Sequence, residues 1–468
     1  MTEKKTPSRP APASSRPRKS PRLHKADHDP RAAALVALSR VLLETTDSQA
    51  ALDDVLRSPV LVPTDKRLCT ELVYGVLRWY LRLEPFCLLF LKKPDKLPYE
   101  MRLCLLTALY EMAFLRVPHH GPVNWAVNHV RNRFGQGLAA VANGALRSMQ
   151  RDLRRFADPS SLLGPDAAEE DVLALRYAMP VWIVRLWREA YGNADALTLL
   201  EACQSVPPSG LRLNRAAPGW EEARAELLGG GEHGEALAVG PAGLAFAGSL
   251  PWRAKELVSQ GLASRQSAAS YQALEGLGPS FWPVPVWDAC AGRGGKTLAL
   301  LEQGVPVALA SDLSTARLAG LEREYERLGL AGHGAPGCPA VLSFSAADLV
   351  DRFAAEGLPE RFGTVLVDAP CSGLGTLARR PEIRFRRSPA DLARLAATQR
   401  EILEAVWQRL EPGGLLAYLT CTLNPAENES CVMDFLGTHV DALVRRESRT
   451  PVDSPLREFF YGALLQKN

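Results

Sequence analysis

The second half of the chain alternates apolar runs of strand length with helical stretches, and this alternation restricts the fold more than any other feature. Five runs, VPVWDACA, VPVALASD, AVLSFSAAD, GTVLVDAP and GLLAYLTCT, lie between residues 284 and 422. Strands separated by helices predict βαβ units and a parallel sheet that binds ligands at the carboxyl ends of its strands. We therefore expect an α/β, doubly wound, Rossmann-like domain over residues 266–468, with its functional residues at one sheet edge.

The first part of the chain has a different pattern. In residues 31–160, segments such as RAAALVALSRVLLE and MRLCLLTALYEMAFL have helical spacing of apolar residues and predict an all-α domain. Residues 165–265 combine one amphipathic helix with a short strand and hairpin signals, which predicts a small α+β connecting subdomain. The expected fold class is therefore multidomain: helical domain, connecting α+β subdomain and α/β domain.

The last helical stretch of the first domain is basic. In VANGALRSMQRDLRR, helical spacing predicts that Arg147, Arg151, Arg154 and Arg155 share one face. A charged face of this kind is either solvated or in contact with a polyanion such as RNA, and periodicity does not choose between the two.

Charge is concentrated at the N-terminus. The net charge is +3, yet residues 1–30 carry eight Lys or Arg against three acids. We expect this Pro-, Ser- and Ala-rich segment to be a disordered basic tail. Such a tail can contact a phosphate backbone or simply aid solubility, so the overall charge does not identify a nucleic-acid partner.

The cysteine pattern bears on compartment. The chain has nine cysteines without a C-x-x-C pair, no apolar run of membrane-spanning length and no hydrophobic leader. These features argue against a structural zinc site and against a disulfide framework. We expect a cytoplasmic monomer that binds no metal and no membrane.

A glycine-rich turn, DACAGRGGKT, follows the first apolar run. Its spacing fits neither a P-loop nor G-x-G-x-x-G. The second run ends in Asp312, where an acid can accept the hydroxyls of a ribose, and the third ends in Asp348, suited to an adenine edge. One such acid alone would be interpreted as a surface carboxylate or a helix cap. Together with the glycine turn, they predict a nucleoside cofactor without phosphates, for which S-adenosylmethionine is the natural candidate.

Two cysteines follow the last two runs. The fourth run leads into Asp368 and Cys371, and the fifth ends at Cys421. A single cysteine in an apolar run is usually a small buried hydrophobe. Two thiols beside a methyl donor instead indicate methylation of cytosine carbon 5, because a thiolate that adds to carbon 6 makes carbon 5 nucleophilic. Asp368 could assist near ring nitrogen 3 by sharing a proton.

These segments resemble a known family. DACAGRGGKT, LVDAPCSGLGTLARRPEIRF and LTCTLNPAENE are similar to the motifs of Sun/RsmB-type RNA cytosine carbon-5 methyltransferases. ELVYGVLR, PVNWAVN and NGALRSMQR resemble the NusB-like RNA-binding domain of that family, and the resemblance covers residues 31–468. It implies S-adenosylmethionine-dependent methylation of carbon 5 of one cytosine in 16S ribosomal RNA, through a covalent cysteine–carbon 6 intermediate.

The resemblance also implies roles for individual residues. It makes Cys421 the nucleophile and Cys371 the group that removes the carbon-5 proton or releases the product. The cofactor positions of the family correspond here to Cys290, Ala291, Gly292, Arg293, Gly294, Gly295, Lys296, Asp312, Asp348 and Asp368. Arg293 stands in place of a usual proline, and Ser314 in place of a common second acid.

Other functions are compatible with parts of the pattern. A related tRNA cytosine methyltransferase would share these motifs. An RNA-binding ribosome-assembly factor with weak or no methyltransferase activity would keep the fold, although the intact Cys371, Cys421 and Asp368 argue against it. An amino-group methyltransferase is disfavoured because such enzymes have Asn/Asp-Pro-Pro-aromatic at the strand end that reads Asp-Ala-Pro-Cys here.

Overall fold

The computed structural model describes residues 29–230, 235–330, 339–345 and 357–468. The chain forms two compact units, the first ending at Ala178 and the second beginning at Met179. The predicted tail, apart from its last two residues, and Asp348 lie outside the described residues.

The first unit is helical. Asp29 caps its first helix by accepting the Arg31 N–H, and Pro30 occupies the first turn, where its missing N–H costs no hydrogen bond. The fourth helix is apolar almost all round and almost wholly buried, as expected of a central helix in a bundle. The helices are α1 (Pro30–Leu43), α2 (Ser48–Leu56), α3 (Pro63–Leu88), α4 (Tyr99–Phe114), α5 (His120–Phe134), α6 (Gln136–Arg151), α7 (Leu153–Ala157) and α8 (Glu169–Arg176).

The arginine-rich stretch is not one helix. Helix α6 ends at Arg151, because Asp152 leaves the helical conformation with φ −103° and ψ 15°. The prediction that four arginines share one helical face is therefore wrong: Arg154 and Arg155 belong to the short helix α7. Aspartate disfavours the helix interior, and a break of one residue leaves the apolar spacing almost unchanged. Arg151 and Arg154 are both exposed.

The second unit begins with helix α9 (Val181–Ala202), which is bent at Gly192, and continues into a four-stranded antiparallel sheet. The strand order is β2-β3-β1-β4. These elements form the α+β part that the sequence predicts. The strands are β1 (Ser209–Leu213), β2 (Ala236–Val239), β3 (Gly243–Phe246) and β4 (Ala263–Arg265), and the helices between them are α10 (Trp220–Leu228) and α11 (Trp252–Ser259).

The rest of the second unit is an α/β domain built on a seven-stranded sheet. Its order is β10-β11-β9-β8-β5-β6-β7, with β5 to β9 parallel and β10 and β11 antiparallel. The strands are β5 (Val286–Asp288), β6 (Val307–Asp312), β7 (Ala340–Ser343), β8 (Phe362–Asp368), β9 (Leu410–Thr420), β10 (Ala442–Arg449) and β11 (Tyr461–Lys467). The helices are α12 (Ala268–Glu275), α13 (Gly295–Glu302), α14 (Thr315–Arg327), α15 (Ile383–Arg386), α16 (Pro389–Trp407) and α17 (Glu429–Thr438).

The five apolar runs coincide with the five parallel strands, which confirms the predicted Rossmann-like fold. In the sheet register, Asp288 on β5 lies opposite Leu366, and Asp368 on β8 lies opposite Leu419 of β9. The carboxyl ends of these three neighbouring strands therefore meet at one edge of the sheet. Among the described residues, no helix has both the length and the apolar character needed to cross a membrane.

Candidate active site

The glycine-rich turn connects β5 to helix α13. Gly294 has φ +80°, and a Cβ built on it would lie 2.5 Å from Leu321 Cγ. Glycine is thus required there both for its conformation and for the close approach of α14. Helix α13 begins directly afterwards at Gly295, so the first N–H groups of the helix lie at the sheet edge.

Asp312, at the end of β6, holds this turn. Its Oδ2 accepts the Gly292 N–H at 3.0 Å, and its Oδ1 accepts the Ser314 N–H at 2.8 Å. Asp312 is 9% exposed. The structure therefore brings the predicted ribose-binding acid into direct contact with the predicted cofactor turn.

The other residues of the turn differ in exposure. Ala291 donates its N–H to Ser311 O at 2.8 Å, which fastens the turn to β6. Arg293 is exposed. Burial raises the pKa of Cys290, so its thiol stays protonated at neutral pH.

The turn has room for a ligand and an acceptor without a partner. A Cβ built on Gly292 would have no neighbouring heavy atom closer than Asp312 Oδ2 at 4.0 Å. Asp288 accepts the Thr297 hydroxyl on Oδ2 at 2.6 Å, whereas its Oδ1 has no hydrogen-bond partner in the described part of the chain. Burial raises the pKa of Asp288 to about 7. An open glycine turn, an acid at the next strand end and a buried unpaired carboxylate oxygen fit a nucleoside cofactor with hydrogen-bond donors.

Lys296 and Asp368 form an ion pair across the sheet edge. Lys296 Nζ lies 2.5 Å from Asp368 Oδ2. Lys296 is 6% exposed, while the Asp368 side chain is 35% exposed. The pair joins the cofactor turn after β5 to the Asp-Ala-Pro-Cys segment after β8, two segments that the sequence places 72 residues apart.

The two predicted thiols lie in contact. Cys371 Sγ is 3.1 Å from Cys421 Sγ, and the Cys421 N–H donates to Cys371 Sγ at 3.3 Å. Both residues are partly exposed, unlike a cysteine packed in a core. Within the described residues, no three His, Cys, Asp or Glu side chains are arranged as a metal ion would require. Of packing, metal binding and chemistry, this geometry favours chemistry.

A glycine allows the two thiol-bearing segments to approach each other. A Cβ built on Gly375 would lie 2.0 Å from Phe459 O and 2.9 Å from Cys421 O. Gly375 instead donates its N–H to Cys421 O at 3.0 Å. The glycines of the CSGLGT segment are therefore part of what brings the Pro-Cys and Thr-Cys segments together.

The two thiols have opposite acidities. The hydrogen bond from Cys371 lowers the pKa of Cys421, and the positive charges of Lys296 and Arg380 act in the same direction. The same hydrogen bond, together with burial and the charge of Cys421, raises the pKa of Cys371. Cys421 is thus the thiolate of the pair and Cys371 the thiol.

Sequence reasoning missed the polar residues behind Cys371. Glu427 and Gln399 are both fully buried. Glu427 Oε2 accepts the Ser372 N–H at 2.7 Å and Gln399 Nε2 at 3.0 Å. The dense polar stretch NPAENE after the fifth run contained a signal for Glu427. Gln399 lies on one face of an ordinary amphipathic helix, and its sequence context indicates nothing.

Two family models match the chain. Residues 283–458 match the model described as 16S rRNA methyltransferase RsmB/F. Residues 28–151 match the NusB family model. The first match includes the glycine turn and both thiol segments, and the second covers most of the helical unit.

Curated relatives match along most of their length. The ribosomal RNA small subunit methyltransferase B of Vibrio cholerae is 33% identical over 417 residues, covering 86% of this chain and 90% of the relative. The probable ribosomal RNA small subunit methyltransferase B of Bacillus subtilis is 32% identical over 422 residues, covering 87% and 88%.

Solved structures share the fold. The crystal structure of PH0851 has a TM-score of 0.72 at 22% identity, and the match covers 94% of this chain and 99% of that one. A methyltransferase homolog protein from Pyrococcus horikoshii has a TM-score of 0.52 at 22% identity, covering 65% of this chain and 100% of that one.

Proposed function

Since this chain belongs to the RsmB/F family of ribosomal RNA small subunit methyltransferases, we propose that it methylates carbon 5 of a specific cytosine in 16S ribosomal RNA through a covalent cysteine intermediate. The observation that supports this chemistry best is the pair of thiols 3.1 Å apart, at neighbouring strand ends, with unequal acidities. Methylation of an amino group needs no such pair.

S-adenosylmethionine is the cofactor, and when bound it supplies an electrophilic methyl group. Residues 290–296 would hold it together with Asp312, which accepts the ribose hydroxyls. Asp348 is proposed to meet the adenine edge. Asp368, next to Lys296, would border both the cofactor and the reacting base.

Cys421 acts first. Its lowered pKa provides a thiolate near neutral pH, and its sulfur adds to carbon 6 of the cytosine. This forms the sulfur–carbon bond, breaks the double bond between carbons 5 and 6, and makes carbon 5 nucleophilic. Asp368 lies near ring nitrogen 3, and the ammonium of Lys296, 2.5 Å away, supplies the proton that they share.

Cys371 acts second. The leading causes of its raised pKa include its hydrogen bond to Cys421 and the charge of that sulfur, and both end when Cys421 bonds to the base. Cys371 can then lose its proton to water and accept the proton from methylated carbon 5. The electrons of that carbon–hydrogen bond restore the ring double bond, and the bond between Cys421 and carbon 6 breaks.

The helical unit is proposed to bind the RNA. Arg151 and Arg154 are exposed, and Arg147 is partly exposed nearby on α6. Guanidinium groups suit phosphate contacts, and the match to the NusB family covers α6. The curated relatives are named for small-subunit rRNA, which makes this RNA the first substrate to test.

The test is methyl transfer from labelled S-adenosylmethionine to unmethylated 16S rRNA, with Cys421→Ala as control. We expect 5-methylcytosine at one position, located by bisulfite sequencing, and no product from the variant. Label on an amino group would refute the proposed chemistry. RNA binding by the wild-type protein without transfer to either 16S rRNA or tRNA would instead identify an assembly factor.

A further inference from the structure

The backbone on both sides of Cys371 is held by two buried side chains. Gln399 Nε2 donates to Pro370 O, the carbonyl before Cys371, at 3.0 Å. Glu427 Oε2 accepts the Ser372 N–H, on the other side, at 2.7 Å. The two side chains also contact each other, since Gln399 Nε2 donates to Glu427 Oε2 at 3.0 Å. We call Gln399 and Glu427 the Pro-Cys clamp.

The clamp depends on a carboxylate. Glu427 Oε1 accepts Asn424 Nδ2 at 2.9 Å, so its two oxygens meet three N–H donors. The Asn424 amide is oriented by Ala426, whose N–H donates to Asn424 Oδ1. A glutamine at position 427 would turn an NH₂ group toward at least one of these donors. Glu427→Gln therefore breaks the clamp with almost no change in volume.

Cys421 is positioned by other contacts. Thr420, the residue before it, pairs with Tyr461 of β11 in the central sheet, and its hydroxyl donates to Asn428 Oδ1 at 2.6 Å. None of these contacts involves Gln399 or the Glu427 carboxylate. Breaking the clamp should therefore shift Cys371 and leave Cys421 in place.

We propose that Gln399 and Glu427 are positioning residues for Cys371, and that through it they govern release of the enzyme from the methylated base. This inference rests on the proposed function, in which Cys371 removes the carbon-5 proton. Proton transfer requires hydrogen-bond reach, and a misplacement of about 1 Å can slow a step on the order of 100-fold.

The experiment compares full-length Gln399→Met and Glu427→Gln with wild type and Cys371→Ala, using transcribed 16S rRNA and labelled S-adenosylmethionine. We expect the clamp variants to transfer up to one methyl group per enzyme. They should then turn over on the order of 100-fold more slowly and accumulate a covalent protein–RNA band on denaturing gels. Their KM for RNA should stay near the wild-type value, because neither side chain contacts the substrate.

Thr364→Val is the matched control. It removes a buried hydroxyl that donates to Pro283 O at 2.8 Å, near the opposite end of β8 from the site. We expect wild-type turnover and no band from this variant. An equal band from it would attribute the effect to general loosening of the domain and overturn the inference.

The remaining outcomes separate the inference from the proposed function. A band from Cys371→Ala, with wild-type behaviour of both clamp variants, would overturn the positioning role alone. No band from any protein, Cys371→Ala included, would overturn the proposed covalent function and the inference with it. If Glu427→Gln does not fold, Gln399→Met decides the matter, since it removes only neutral donors; retained cofactor binding is the check on folding.

Discussion

Removing the Asp312 carboxylate should weaken cofactor binding without unfolding the protein. In Asp312→Ala the Gly292 N–H, now bonded at 3.0 Å, and the Ser314 N–H, bonded at 2.8 Å, lose their acceptor, and so do the ribose hydroxyls. Hydrogen bonds to a charged group contribute about 1.5–3 kcal/mol, and each 1.4 kcal/mol is about tenfold in affinity. We therefore expect affinity for S-adenosylmethionine to fall about ten- to a hundredfold. Asp312→Asn, which keeps one carbonyl acceptor, should lose less.

Isothermal titration of full-length protein with S-adenosylmethionine measures this effect. The matched control is Asp434→Ala on α17, which removes a carboxylate that is 64% exposed and lies 3.7 Å from the Arg400 guanidinium. It should bind the cofactor as wild type does. Unchanged affinity in a folded Asp312→Ala protein would refute the assignment of this acid to the ribose.

Two further predictions concern charge. Neutralising Arg147, Arg151 and Arg154 together should weaken RNA binding and lower the slope of log affinity against log salt by nearly one for each phosphate that the protein no longer neutralises; an unchanged slope would make them an ordinary solvated face. Arg380→Gln should raise the pKa of Cys421 by removing a positive charge that favours its thiolate, so the acid limb of the single-turnover pH profile should move to higher pH, and a fixed limb would contradict this electrostatic role.

The sheet edge was predictable because its information is local. Each parallel strand ends in the residue that the site uses, and strand alternation alone requires those ends to meet. This is why Asp312, Asp368, Cys371 and Cys421 could be placed together from the sequence. The antiparallel strands β10 and β11 were not predicted: β10 is charged and largely exposed, and it has no clear apolar alternation.

Contacts between distant segments could not be predicted. Gln399 meets Pro370 across 29 residues and Glu427 across 28, and nothing in the spacing of a helix reveals which polar residue faces inward to a loop. The break at Asp152 was missed for the opposite reason, since the periodicity of α6 and α7 is almost continuous. Apolar spacing reports which face is buried, not where a helix stops.

The most direct test of the account is covalent trapping with single-cysteine variants. Wild type, Cys421→Ala and Cys371→Ala are incubated with 16S rRNA and S-adenosylmethionine and separated on a denaturing gel. Cys421→Ala lacks the sulfur that bonds to carbon 6 and should give neither product nor band. Cys371→Ala can still attack and methylate but cannot remove the carbon-5 proton, so it should accumulate a slowly migrating protein–RNA band. A band from Cys421→Ala instead would exchange the two roles, and activity in both variants without a band would contradict the covalent mechanism.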